Sequence, residues 1–414
     1  MRSRTPPTET PALSTSARNT PARNTPARST PARNTPARGS RAHTPRVWLE
    51  RISVRDFRNL ERVDLYLPAN GVAIIGENGH GKTNLLESIF YLQTLRAERA
   101  ARDQDCTRFG AAGFHISAKF RTTGPHEISV GFEKASKRKK VTLDGSSPRK
   151  LSEAFGALPS VMFSPRDLEL IGGAPTERRR FLDLVLALTS RRYLNALQNY
   201  RANLIRRNAA LRDANRRGAD ESRVSVWEPA LAEHGTVLIE ERAAWVAEWG
   251  EEFSRLCATI GERAAARMRY VSPFAESEVR YDVLLAAFAE KRALDMKRGI
   301  TQVGPHRDEL EITLDGHDLR VFGSAGQQRT AAIALRMLEA ATLRKHSGVE
   351  PLLLLDDPFA ELDLRRASKI LTLLKKGGLG QTVLAVPRES DIPPGLMNLD
   401  RMGIRDGVLK KAEE

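Results

Sequence analysis

Apolar and polar positions alternate through ERISVRDFRNLERVDLYL, which follows Trp48, and this period of two predicts paired strands with one buried face. The next apolar run, Val72-Ala73-Ile74-Ile75, is unbroken, and beyond it Leu85, Leu86, Ile89 and Phe90 recur at helical spacing. Phe114 to Arg121, Ile128 to Phe132 and Val141 to Leu143 predict further antiparallel strands in a small β-rich lobe, the last ending in an Asp144-Gly145 turn. Between Pro175 and Ala266 the period changes to 3.6. Leu197, Tyr200, Leu204 and Leu211 stripe one helix, and Trp227, Leu231, Leu238, Trp245, Trp249, Phe253, Leu256 and Ile260 stripe another. The two predict an antiparallel helical hairpin linked at Asn215-Arg216-Arg217-Gly218. A first helix of some 25 residues would reach about 40 Å. From Ile300 the β pattern returns with GITQVGPHRDELEITLDG, and Leu352 to Leu355 form a short apolar strand suited to a buried parallel sheet.

Candidate chemistry falls where these elements join. GENGHGKT, Gly76 to Thr83, fits G-x-x-x-x-G-K-[ST] with a strand before it and a helix after it, the context a phosphate-binding loop needs. A chance glycine-rich turn would lack that context. In such a loop Gly76, Gly79 and Gly81 let backbone N–H groups turn inward around a polyphosphate, with Glu77, Asn78 and His80 completing the cradle. Lys82 can reach the β- and γ-phosphates of a nucleotide, and Thr83 offers its hydroxyl to Mg²⁺. Asp356 and Asp357 follow the apolar strand. The first carboxylate can hold the Mg²⁺ water shell opposite Thr83, and the second can orient or deprotonate an attacking water; otherwise the pair caps the next helix. Ser324-Ala325-Gly326-Gln327-Gln328 opens another helix with an anion-seeking N-terminus, which taken alone is only a cap.

Composition changes the picture in one respect. The 414 residues carry a formal charge of +15, and residues 1–46 supply eight of those charges through nine Arg and one acid, Glu9. A polyanionic partner fits, although the rest of the chain is only mildly basic. That first segment repeats (N/S)-T-P-A-R from Asn19 to Arg38 and has almost nothing apolar, so disorder is expected, as a basic arm or as a tail without a role in the fold. Cys106 and Cys257 stand far apart without a matching His cluster, which argues against a disulfide framework or a zinc site and fits a reducing cytoplasm. No apolar run approaches a membrane span. Ser136-Lys137-Arg138-Lys139-Lys140 reads as a solvated hairpin tip, with phosphate contact as the alternative. Arg178-Arg179-Arg180, Arg191-Arg192 and Arg206-Arg207 read as solvated helix charge or as part of a nucleic-acid face.

Taken together, several stretches resemble the RecF family of DNA replication and repair proteins, relatives of SMC-type ATPases. They are DFRN at 56–59, GENGHGKTNLLE at 76–87, RDQDCTRFG at 102–110, FSPRDLELIGGAPTERRRFLD at 163–183, Tyr200 with Arg207-Asn208, GPHRDEL at 304–310, GSAGQQRT at 323–330 and LLLDDPFAELD at 353–363. The resemblance implies an α/β fold, an ABC-type P-loop ATPase head with an inserted helical arm domain. Its parts would be 1–46, the basic tail; 47–174, the first part of the head with the β-rich lobe; 175–295, the arm; and 296–414, the second part of the head. It also implies an ATP-dependent DNA clamp with weak DNA-stimulated ATPase activity. Such a clamp would bind duplex and gapped DNA and help RecO and RecR load RecA. Carried over by position, Ser324, with Gly326 and Gln327, would bind the γ-phosphate held by a second copy, so that two ATP molecules are sandwiched in a two-fold dimer. Asp356 would be the Mg²⁺ carboxylate and Asp357 the water activator, with Glu361 and Asp363 in the adjoining loop.

Two positions depart from that pattern. Ala97-Glu98 precedes Arg99 where relatives show Ser followed by an aromatic residue or His, and Val386-Pro387 follows the last core strand where His or Thr is usual. Neither Val nor Pro donates a side-chain hydrogen bond, so hydrolysis is expected to be wired to dimer opening differently. A P-loop phosphotransferase and the ATP-driving subunit of a transporter are the other readings. The helix opened by Ser324 and the absence of a lid segment count against the first, and the helical insertion and basic charge against the second.

Overall fold

The computed structural model describes residues 44–97, 102–217, 220–276, 280–359, 364–376 and 380–411. The basic tail up to residue 43, Glu98, Arg99, Gly218, Glu361 and Asp363 lie outside the described residues. None of the described helices is long and apolar enough to cross a membrane.

The alternating stretch after Trp48 folds as β1 (Trp48–Phe57) and β2 (Leu60–Tyr66), an antiparallel hairpin that sets Ile52 opposite Leu65 and Val54 opposite Val63. With β4 (Gly113–Arg121), β5 (Pro125–Glu133) and β6 (Arg138–Leu143) these strands make a five-stranded antiparallel sheet in the order β2-β1-β4-β5-β6. The unbroken apolar runs go elsewhere. They are β3 (Gly71–Ile75), β7 (Ser160–Phe163), β11 (Leu352–Asp356) and β12 (Thr382–Val386), which lie parallel side by side. A hairpin of β13 (Asp400–Arg405) and β14 (Val408–Lys411) completes a six-stranded sheet ordered β14-β13-β3-β12-β11-β7. A third, small sheet joins β8 (Ala266–Val271), β9 (Glu309–Leu314) and β10 (His317–Asp318). The β pattern expected from Ile300 therefore starts only at Glu309, and 300–308 is turns.

Why the central strands need apolar residues at every position is visible in where their side chains go. Val72, Ile74, Leu352, Leu354, Val383 and Ala385 enter one core, shared with the five-stranded sheet and with α1 (Lys82–Thr94). Ala73, Leu353, Leu355, Leu384 and Val386 enter a second core on the opposite face. That core is built with α2 (Pro175–Thr189), α3 (Arg191–Arg217), α4 (Glu228–Ile260), α5 (Arg280–Arg298), α6 (Ala325–Ser347) and α7 (Leu364–Lys376). A sheet covered on both faces has no polar side to alternate toward. The helix α1 lies between two sheets, so Leu85, Leu86, Ile89 and Phe90 are all buried.

The striped helices are α3 and α4, and at 33 residues α4 spans about 50 Å. The helix α5, which packs on both, was not singled out from sequence, although Leu284 and Phe288 are fully buried at i, i+4. The three are joined by charge. Arg207, fully buried on α3, donates to Asp295 Oδ2 and Thr301 Oγ1 at 2.8 Å and to Glu228 Oε1 at 2.9 Å. A second buried arginine, Arg242, reaches Asp183 at 2.7 Å, the Tyr193 hydroxyl at 2.9 Å and the Pro305 carbonyl at 2.7 Å. Arg178 pairs with Glu309 at 2.8 Å. Arg178 and Arg207 are thus removed from any nucleic-acid face, since both guanidinium groups are buried and paired with carboxylates. The GPHRD motif acts here too. His306 Nδ1 accepts from the Tyr200 hydroxyl at 2.7 Å and Nε2 donates to the Thr301 carbonyl at 3.2 Å. Gly304 sits at φ +116, where a Cβ would lie 2.5 Å from the Tyr200 oxygen.

Arg207→Ala leaves Asp295 and Glu228 buried without that cation and is expected to cost about 3–5 kcal/mol of unfolding free energy, measured by chemical denaturation. Burial pushes the His306 imidazole from its ordinary 6.5 down to about 4. Between those values the unfolded chain binds a proton that the folded chain refuses, so stability falls as the pH drops from 6.5 to 4. His306→Gln should remove that share of the slope, read from denaturation midpoints across the interval.

Candidate functional site: a phosphate-binding loop at the carboxyl edge of the central sheet

The strands β3, β12 and β11 end on the same edge, in that order. The phosphate-binding loop leaves β3, and its glycines take conformations that side chains resist: Gly79 has φ +89 and Gly81 φ +106. Glu77, Asn78 and Gly79 form an exposed crest. No side chain caps the N-terminus of α1 and no acid occupies its first turn, so its amides and positive end remain available to an anion. Lys82, only 6% exposed, arches back so that Nζ donates to the carbonyls of Gly76 at 2.5 Å and Glu77 at 2.9 Å. Burial pushes its ammonium group below the usual lysine range, while Asp356 and Asp357 pull it back up.

On the other side of β12, Asp356 is the last residue of β11 and is buried. Its two carboxylate oxygens lie 3.0 and 2.7 Å from the Thr83 hydroxyl. This pair of oxygen donors suits a hard divalent cation such as Mg²⁺, beside a cradle shaped for phosphates. Asp357 turns to φ +46 while its N–H still pairs with the Ala385 carbonyl at 2.9 Å. It therefore stands at the end of the strand ladder rather than inside the next helix. Val386 ends β12, and its carbonyl accepts from the Gly76 N–H at 3.3 Å. The position that lacks a side-chain donor thus meets the loop through its backbone.

Ser324 caps α6 as its sequence suggests. The Gln327 N–H donates to Ser324 Oγ at 3.3 Å, and the Ser324 N–H donates to the Gln327 side chain at 3.0 Å. The serine is exposed, next to Val321 and Phe322 at 60% and 72% exposure, while Gly326 offers its carbonyl to Arg366 at 2.9 Å. Among the described residues no hydrogen bond joins 324–327 to 76–83. The structure brings Lys82, Thr83, Asp356 and Asp357 to one edge and gives Ser324, Gly326 and Gln327 a separate, outward-facing start of a helix.

Two groups of residues gain positions that the sequence did not assign. In DFRN, Asn59 Oδ1 accepts from the Asn84 side chain at 2.8 Å, Asn59 Nδ2 donates to the Gly79 carbonyl at 3.3 Å, and Arg58 pairs with Glu87 of α1 at 2.9 Å. In RDQDCTRFG, Asp103 accepts from the Tyr91 hydroxyl at 2.6 Å and pairs with Lys139 at 2.7 Å. Lys139, expected at a solvated tip, instead lies over the Tyr91 ring and donates to the Leu95 carbonyl at the end of α1. Its signal in sequence was hidden by four neighbouring polar or basic residues.

Fold and site define an ATPase head of the SMC class. The RecF/RecN/SMC N-terminal domain model matches residues 48–388. The chain belongs to the RecF family within that class. It is 33% identical over 374 residues to the DNA replication and repair protein RecF of Prosthecochloris aestuarii, covering 88% of this chain and 99% of that one. With RecF of Herpetosiphon aurantiacus it shares 32% over 387 residues, again 88% and 99%. A solved structure of the recombination mediator protein RecF with ATP, in the RecFOR pathway, superposes with a TM-score of 0.82 at 28% identity, covering 91% of this chain and 100% of that one. The Smc head bound to the C-winged helix domain of ScpA gives 0.50 at 18% identity and 88% coverage, a likeness of fold alone.

Thr83→Val keeps the volume and removes the hydroxyl shared with Asp356. Triphosphate affinity with Mg²⁺ should then fall to the level seen in EDTA, as measured by titration calorimetry, whereas a preserved Mg²⁺ effect would remove Thr83 from the cation site.

Proposed function

We propose that the chain is an ATP-gated DNA clamp of replication and recombinational repair. ATP would bind in the 76–83 cradle with Mg²⁺ between Thr83 and Asp356, and two heads would close over two nucleotides around duplex or gapped DNA. It would act with RecO and RecR, upstream of RecA loading, a reading supported by its likeness to a recombination mediator protein of the RecFOR pathway. The bound triphosphate and its metal supply an electrophilic phosphorus and charge neutralisation. The chain's own groups do the rest. Lys82 already reaches around the loop crest and needs only to exchange two carbonyls for phosphate oxygens. Asp357 holds a carboxylate at the strand end where it orients and deprotonates water. Slow hydrolysis then releases the clamp.

The single observation that carries the dimer is the outward start of α6. Ser324 Oγ accepts its own helix's N–H and keeps its O–H as a donor, on an exposed surface with no hydrogen bond to its own phosphate loop among the described residues. A phosphate-seeking element that makes no hydrogen bond to the phosphate loop of its own chain fits the loop of a second copy. The exposed Val321 and Phe322 beside it add apolar area to such a contact. DNA contact would fall on backbone phosphates without base reading.

The test uses two variants that fail for opposite reasons. Lys82→Ala should lose ATP, and Ser324→Arg should bind ATP but not close. Mixed together they form one intact composite site, so ATP turnover that neither shows alone should reappear. A mixture as inactive as its components contradicts closure in trans. Asp357→Asn should still bind ATP and DNA and accumulate the closed dimer.

A further inference from the structure

The phosphate-binding loop is held from outside by the last hairpin of the chain. The turn between β13 and β14 is Asp406-Gly407, at φ +48 and +79, the left-handed pair that a tight hairpin requires. It is docked on the loop. His80 Nδ1 lies 3.0 Å from both the backbone nitrogen and Oδ1 of Asp406, and the Gly407 N–H donates to the His80 carbonyl at 3.0 Å. The same hairpin lies close behind the start of the loop, where a Cβ on Gly76 would be 2.4 Å from the Ile404 carbonyl. Across from it, Asn59 bonds to Gly79 and Asn84, and a Cβ on Gly81 would be 2.8 Å from its Oδ1. The two holders meet each other, since a Cβ on Gly407 would be 2.4 Å from the Asn59 carbonyl.

We propose that the Asp406-Gly407 turn, with Asn59 as its counterpart, is a positioning element for the triphosphate. It sets the loop amides in their binding arrangement before the ligand arrives. The inference rests on the reading of 76–83 as the nucleotide cradle. Glycine-rich backbone at an exposed crest loses conformational freedom when it closes on phosphate, and any contact that fixes it beforehand raises affinity. The turn lies outside residues 48–388, where the family model ends, so this contribution belongs to the C-terminal hairpin.

Gly407→Ala, whose Cβ would collide with the Asn59 carbonyl, displaces the turn. Asn59→Ala releases Gly79 and Asn84 without added bulk and decides the matter should Gly407→Ala fail to fold. For each folded variant, mant-ATP affinity and the KM of full-length protein should worsen by about tenfold, the scale of losing one or two hydrogen bonds. kcat at saturation should hold within about twofold, because Asp357 and Ser324 are untouched. Loop amides 77–81 should exchange hydrogen faster in the nucleotide-free variants than in wild type. Affinity within about twofold of wild type, or a fall in kcat with KM unchanged, overturns the inference. Wild-type protein that binds no ATP while folded would instead sink the cradle reading itself.

Discussion

Thr83 and Asp356 are 273 residues apart in the chain and 2.7 Å apart in space. The proposed handling of a nucleotide by the head rests on that contact. It requires β3 and β11 to end on one edge with β12 between them, and it requires the arm, inserted after β7, to return the chain to the same sheet. A hydroxyl from the loop side and a carboxylate from the strand side are thereby held as a ready pair of oxygen ligands. Burial of Lys82 beside them lowers its ammonium group below the usual lysine range, and the two aspartates oppose part of that shift.

The arm is secured by the same kind of contact, used for a different end. In the arm, Arg207 and Arg242 meet buried carboxylates and Arg178 meets the half-buried Glu309; in the head, Arg336 pairs with Asp167 and Glu339 at 2.8 Å. A buried ion pair adds little net stability over an apolar substitute, but losing one member is expensive. Such pairs therefore fix which helix meets which.

Much of the head was legible because its signals are local. Period two marked β1 and β2, unbroken apolar runs marked strands covered on both faces, and GENGHGKT carried its own strand and helix. Ser324 was recognisable as a cap from four consecutive residues. What stayed hidden depends on distant approach. DFRN marks Asn59 by resemblance but gives it no task, which arises only because the loop, α1 and the C-terminal hairpin converge on it. The direction of Arg207 is set by Glu228 and Asp295 on two other helices, so an arginine pair on α3 looked solvated. Lys139 was lost in a run of like charges, and α5 was overlooked although Leu284 and Phe288 announced its buried face.

The account's central claim is that one copy's glycine-loop amides and another copy's serine-started helix grip the same triphosphate. Molecular mass by light scattering, with a non-cleavable ATP mimic, Mg²⁺ and a short gapped duplex, tests it most directly. The account predicts two protein chains per DNA with the mimic and one without it. A single chain at saturating mimic and DNA would contradict it.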